Sequence, residues 1–255
     1  AADYLLDRGY RRVAFLLGNA REDTIAQSRL KGMNEVFAEE ALSVETLPGC
    51  LTYEEGALIE PVANGMYAVR NSKIDEETNI VVIGCGPIGI GDFLCARLYD
   101  PRSILMVDVA DFNLQKAREM GAELTCNSRS EDLYERVMEL TGGVGADLVF
   151  LAYGDAPTLQ QAAEICRRGG QLVQHALMED GIGFPYRVHQ QHELDFKAYN
   201  MYTNEDFRLI AEAIDAGKMD LSHFVTQRYP IEQFAEAMHM ADKRPEPVLK
   251  VMMTF

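Results

Sequence analysis

The stretch Asn79-Ile80-Val81-Val82-Ile83-Gly84-Cys85-Gly86-Pro87-Ile88-Gly89 decides how this 255-residue chain is read. A short run of β-branched residues reads as a strand, and a G-x-G-x-x-G turn follows it at once and opens a helix pattern that runs to Leu98. In such a turn Gly84 takes the tight bend, Gly86 lets backbone come close to a pyrophosphate, and Gly89 lets the helix pack closely. Pro87 and Ile88 start that helix, whose free N–H groups and positive dipole end suit an anion. The next strand pattern, 103–107, ends in Asp108, 24 residues beyond Gly84. A carboxylate there accepts hydrogen bonds from ribose hydroxyls and repels a 2′-phosphate. No Arg or Lys stands between Asp108 and Gln115 to offset it, so the pattern favours NAD over NADP. The competing reading is an ordinary strand-to-helix turn with Asp108 capping the next helix. The order strand, turn, helix, strand, acid favours the dinucleotide.

Working outward, strand patterns at 79–83, 103–107, 123–126, 147–151, 171–174, 195–199, 225–229 and 248–254 alternate with helix patterns. The helices are expected at 87–98, 111–120, 131–140, 158–167, 204–216 and 231–241. Glycines punctuate the ends: Gly121, Gly142, Gly143, Gly169, Gly170 and Gly217. Several strands are continuously apolar, as strands covered on both faces are. The fold class is therefore α/β, a doubly wound, mostly parallel Rossmann-type sheet. Upstream, helix patterns at 1–7 and 24–40 flank a strand pattern at 13–17, an extra amino-terminal αβα segment. The segment 42–53 has no periodicity and serves as the junction, with a helical stretch at 53–69 after it. We divide the chain into 1–47, the αβα segment, and 48–255, the dinucleotide-binding domain.

Composition narrows the function classes. Lys and Arg number 24 against 40 Asp and Glu, a formal charge of −16 that argues against a nucleic-acid binder. No apolar run is long enough to span a bilayer and the first residues are charged, so we expect a cytoplasmic protein that avoids membranes. The five cysteines are spread without a Cys-x-x-Cys pair, which argues against a structural zinc knuckle and fits a reducing compartment.

From Leu51 onward the chain resembles the zinc-type, medium-chain alcohol dehydrogenase superfamily, in particular its sorbitol and threonine dehydrogenase branch. The resemblance is carried in family order by Glu54-Glu55-Gly56-Ala57-Leu58-Ile59-Glu60-Pro61, Val82-Ile83-Gly84-Cys85-Gly86-Pro87-Ile88-Gly89 and Ala117-Arg118-Glu119-Met120-Gly121-Ala122. It continues through Thr141-Gly142-Gly143-Val144-Gly145-Ala146-Asp147, Gly169-Gly170-Gln171-Leu172-Val173 and Pro247-Val248-Leu249-Lys250-Val251. It implies NAD as cofactor, hydride transfer with a small polyol or secondary alcohol, and nicotinamide contacts near Ala152 to Gly154 and near His175 and Ala176. It also implies contact with the adenosine end near Asn113, where the family usually carries an Arg that this chain lacks. Glu60 matches the family glutamate at or near the catalytic zinc. Before it stand only Cys50 and no His, and one carboxylate is not a zinc site, so no metal is expected. Through Leu5-Leu6-Asp7-Arg8-Gly9-Tyr10-Arg11-Arg12-Val13-Ala14-Phe15 and Arg29-Leu30-Lys31-Gly32-Met33, residues 1–42 resemble instead a fragment of the sugar-binding domain of lac-repressor-type regulators, which implies effector contact at Arg29; we expect the fragment to pack rather than sense.

An alcohol oxidation must shed a proton as the hydride leaves. None of the 11 tyrosines has a Lys four residues on, which removes the short-chain dehydrogenase solution. Among the five histidines His175 is the best-placed acid or base, at the end of the strand beside the nicotinamide. Glu60 and His175 are thus the candidate catalytic residues, and His189 with His192 a weaker metal pair. The last strand, 248–254, would be a bare edge unless the αβα segment or another copy covers it, which suggests a homo-oligomer. Two further readings stay open at this stage: a module that binds a dinucleotide without reacting it, and a recombinant or engineered joining of two α/β fragments.

Overall fold

The computed structural model describes Val13–Phe15, Val44–Thr46 and residues 51–254. In chain order the elements are β1 (Val13–Phe15), β2 (Val44–Thr46), α1 (Tyr53–Arg70), β3 (Asn79–Ile83), α2 (Pro87–Ala96), β4 (Ser103–Asp108), α3 (Asp111–Glu119) and β5 (Leu124–Asn127). There follow α4 (Leu133–Leu140), β6 (Ala146–Leu151), α5 (Ala156–Ile165), β7 (Cys166–Gln174), α6 (Tyr186–His192), β8 (Asp195–Ala198), α7 (Asn204–Asp215), β9 (Gln227–Pro230), α8 (Phe234–Lys243) and β10 (Val251–Thr254). The helix patterns at 1–7 and 24–40, and Arg29 with them, lie outside the described residues. The chain divides into two compact units, one comprising residues 1–60 with Thr203–Met219, the other Pro61–Tyr202 with Asp220–Phe255.

In the first unit β1 and β2 pair in parallel, Val13 opposite Val44. The junction expected at 42–53 therefore contains a strand; it is set by a partner far away in the chain rather than by local periodicity. α1 opens on a capping box. The Glu55 N–H donates to Thr52 Oγ1 (3.1 Å) while Glu55 Oε2 accepts from the Thr52 N–H (2.8 Å), so two otherwise orphan donors are satisfied reciprocally. α7 starts with the same device at Thr203 and Asp206.

The second unit holds the six-stranded parallel sheet, in the order β5-β4-β3-β6-β7-β8. Ile83 is paired with Val107 on one side and Leu151 on the other, so the three central strands end level. The chain winds from β3 out to β5 and then returns across β3 to β6, which makes the β3–β6 boundary the point where the winding reverses. In open α/β sheets the ligand crevice forms at the carboxyl ends of the strands there. Side chains alternate across the sheet. Val81, Ile83, Val107, Val149, Leu151 and Leu172 join Leu133 and Val137 of α4 and Leu159, Ala162 and Ala163 of α5 in one apolar cluster. On the other face Ile80, Val82, Met106, Leu148, Phe150 and Val173 are buried, and α2 lies against β3 and β6. Each fully buried aliphatic side chain contributes roughly 1.5–3 kcal/mol.

Three expectations change. The helix expected at 158–167 ends at Ile165, and Gly169 and Gly170, read as its terminators, lie inside β7. The cause is tertiary: β6 pairs with both Cys166 and Gln171, and the register shifts between those two contacts. The polar segment after β7 folds as α6, where His189 packs against the Phe184 and Phe196 rings and His192 Nδ1 lies 2.9 Å from the Cys166 carbonyl oxygen. That turns the two histidines to different surroundings. Finally, β10 pairs in parallel with β9, Val251 opposite Gln227, so one of its two edges is covered from within the same unit.

Candidate functional site

The glycine turn is built by sterics. Gly84 has φ +100°, a conformation that side chains other than glycine rarely take, and a Cβ on it would also meet Tyr153 Cβ at 2.9 Å. A Cβ on Gly89 would lie 1.8 Å from the Gly84 carbonyl oxygen, so that position tolerates no side chain. Gly86 differs. Its backbone is extended, φ −73° and ψ −175°, and a Cβ there would meet nothing within 4 Å. Neither backbone conformation nor packing among the described residues asks for glycine at position 86. Gly86 is the N-cap of α2 without any side-chain cap, and Pro87 occupies the first turn, where its missing N–H costs nothing.

Asp108 ends β4 directly beside this turn. Its Oδ2 accepts from the Cys85 N–H (2.8 Å) and from Asn113 Nδ2 (3.1 Å), and its Oδ1 accepts from the Ala110 N–H (2.9 Å). The carboxylate is therefore fixed in orientation, and Asn113 acts by holding it. Burial and the Asp108 carboxylate push the Cys85 thiol well above its ordinary range, so Cys85 stays protonated and inert.

The carboxyl ends of the central strands are stitched together by backbone. The Gly84 N–H donates to the Val107 carbonyl (2.8 Å), those of Ala152 and Tyr153 both donate to Ile83 (2.9 and 3.0 Å), and those of His175 and Ala176 both donate to Leu151 (3.0 and 2.8 Å). The loops after β6 and β7 touch as well, since a Cβ on Gly154 would come within 3.0 Å of Ala176 Cβ. The glycine turn, Asp108 and the loops that carry Ala152, Gly154 and Ala176 thus join into one rim along the carboxyl ends of the strands. Exposed apolar side chains stand on it: Val109, Tyr153 and Leu177, the last 89% exposed. Tyr153 lies inside the stretch Ala152 to Gly154 where the family resemblance implies nicotinamide contact, although only the two flanking residues were named as candidates.

His175 is placed otherwise than a free acid or base. Its side chain is 3% exposed, and Nδ1 lies 2.9 Å from Oδ1 of Asp92, a residue of α2 whose side chain is 0% exposed. The alignment of the two falls short of a good hydrogen bond, and Asp92 Oδ2 and His175 Nε2 are buried without hydrogen-bond partners. Burial raises the Asp92 carboxyl against the opposing pull of His175. Burial alone would lower the imidazole, but the neighbouring Asp92 carboxylate more than offsets it, so His175 holds its proton above the ordinary value of 6.5. Asp92 was not read as functional, yet the signal was there: it is the one charged residue in the buried run from Gly89 to Ala96. Glu60 lies on an exposed part of α1, in the other compact unit. Among the described residues no three His, Cys, Asp or Glu side chains converge as metal donors, and no helix is long and apolar enough to cross a membrane.

Comparison with known proteins supplies the remaining findings. The family profile for zinc-binding dehydrogenases matches residues 87–216. Sorbitol dehydrogenase of Bacillus subtilis (strain 168) is 31% identical over 209 residues, 81% of this chain and 58% of that protein. D-xylulose reductase of Saccharomyces cerevisiae is 31% identical over 206 residues, 79% of this chain and 58% of that protein. Among solved structures, 2R,3R-butanediol dehydrogenase from Bacillus subtilis superimposes with a TM-score of 0.74 at 28% identity, covering 82% of this chain and 60% of that one. The chain spans less than two thirds of the length of each of these relatives.

Proposed function

The chain belongs to the zinc-binding dehydrogenase family, and on that premise we propose that it binds NAD across the carboxyl edge of its six-stranded sheet and serves hydride transfer with a small polyol or secondary alcohol. Gly86 carries the reading. Its backbone is one that any residue adopts and the space beside it is open, so the cradle suits a group from outside the chain that needs the backbone close. A pyrophosphate fits, because the uncapped first turn of α2 directs N–H groups and positive dipole at the same place.

When bound, the dinucleotide supplies the hydride acceptor or donor. The residues of this chain bind and orient it. Asp108, already fixed by three donors, keeps lone pairs for the ribose hydroxyls, and its negative charge disfavours a 2′-phosphate, which supports NAD over NADP. Val109 and Tyr153 offer exposed apolar surface at the rim, and Leu177 offers it beside Ala176, where the nicotinamide end is expected. The names of the relatives support a polyol as the alcohol. The zinc of the family does not fit the described residues, since no three donors converge among them. For residues 1–42 the sequence supports a packing segment rather than a sugar sensor.

The test is titration of the full chain with NADH, and with NADPH in parallel, on wild type, Gly86→Val and Asp108→Ala. We expect NADH to bind wild type in preference to NADPH, Gly86→Val to weaken NADH by at least roughly tenfold with its melting curve unchanged, and Asp108→Ala to narrow the preference. A wild type that binds neither dinucleotide, or a Gly86→Val variant that binds NADH as wild type does, overturns the reading.

A further inference from the structure

The Asp92–His175 pair joins two parts of the second unit that are far apart along the chain, α2 and the loop after β7. Asp92 belongs to α2, the helix that the glycine turn opens, and His175 is the first residue after β7. The two side chains meet at 2.9 Å, sealed from solvent at 0% and 3% exposure. The Phe150 ring centroid lies 6.5 Å from that of the imidazole, with the two planes inclined by 30°. Burying such a pair is costly. Two apolar side chains of similar volume would fill the space at less expense, and the unpartnered Asp92 Oδ2 and His175 Nε2 add to the cost. What an ion pair supplies and an apolar contact does not is direction: the imidazole can meet the carboxylate in few orientations, so the backbone that carries it is fixed.

That backbone is the rim. The His175 and Ala176 N–H groups converge on the Leu151 carbonyl, and the His175 side chain is buried while that of Leu177 is exposed. We propose that Asp92 and His175 are positioning residues that clamp the loop after β7 to α2, so that Ala176 and Leu177 meet the nicotinamide half of a bound dinucleotide in one arrangement. The inference rests on the reading of the rim as a dinucleotide site. It assigns the pair no part in binding the adenosine or pyrophosphate, which are met by the turn and Asp108.

The experiment separates the two halves of the ligand. Full-length wild type, Asp92→Asn, His175→Val and the double variant Asp92→Leu/His175→Leu are titrated with NADH and with ADP-ribose, and the emission of bound NADH is recorded. We expect all three variants to weaken NADH by about tenfold while leaving ADP-ribose within twofold of wild type, with the emission maximum moved toward that of free NADH. The double variant keeps the space filled, so it reports on the pair even where a single substitution fails to fold. Equal losses for NADH and ADP-ribose, or no loss of either, overturn the clamp. A wild type that binds neither ligand overturns the dinucleotide reading itself, and one that binds both while the variants match it overturns the clamp alone.

Discussion

The two ends of the strand rim solve opposite problems. At the glycine turn the geometry is settled locally: Gly89 is bare because Gly84 leaves no space, and Asp108 meets three donors, while the first turn of α2 stays uncapped. At the loop after β7 a carboxylate and an imidazole are buried together with two polar atoms left over. The first end is held by local backbone geometry, and its chemistry is the lack of side chains. The second is held by a charged contact across the fold, and tolerates a cost that a purely architectural core would avoid. A cleft can thus be rigid at one end through sterics and directed at the other through electrostatics.

The largest expected effect tests the costlier end. Asp92→Ala, which leaves His175 buried without its partner, should lower stability by about 3–5 kcal/mol in urea denaturation, whereas the double leucine variant should recover most of that. If Asp92→Ala costs less than about 1 kcal/mol, the pair is not the energetic feature it looks to be. Next comes the steric end: Gly89→Ala should cost about 3 kcal/mol, because its Cβ would meet the Gly84 carbonyl oxygen at 1.8 Å. Gly86→Ala, a comparable change three residues earlier, should stay within about 0.5 kcal/mol of wild type. Equal costs for the two would erase the distinction between a glycine kept for the chain and one kept for a ligand.

The pH dependence of stability sharpens the contrast further. His175 and Asp92 are both raised, so the folded chain binds protons more tightly than the unfolded one. The sign follows from linkage: the contribution of His175 is fully present below its ordinary value of 6.5 and is lost as pH rises through its higher folded value. Denaturant midpoints measured upward from pH 6.5 should therefore fall in wild type, and the slope should flatten in the double leucine variant. The smallest effect is at Asp108, where Asp108→Ala should weaken NADH by roughly tenfold, the size of one hydrogen bond to a charged group, and NADPH by less.

Much of the fold could be read along the chain. β3 spans the same residues that periodicity assigns to it, and α2 starts at the expected proline, because a continuous apolar strand, a glycine turn and an apolar helix are all local patterns. Of β7 only the second half, 171–174, could be read that way. Its glycines look like helix terminators until Cys166 and Gln171 are seen to pair with β6. β2 and α6 were hidden for the same reason: β2 depends on β1, and α6 on an aromatic cluster assembled from Phe184, His189 and Phe196. In the candidate site, Asp108 and the glycines were legible because their roles follow from order and spacing. Asp92 was visible only as an oddity, a carboxylate in a buried helix.

What the sequence by itself determined is the parallel α/β winding, the glycine turn and the acid that follows it, since each is set by propensity and spacing over a few tens of residues. What only the tertiary structure decided is the environment of His175. An imidazole at a strand end reads as a free acid or base until the packing of α2 against the sheet brings Asp92 to it and closes water out. Charge and burial are properties of neighbours in space, and the neighbour here lies on an element that the chain leaves many residues earlier.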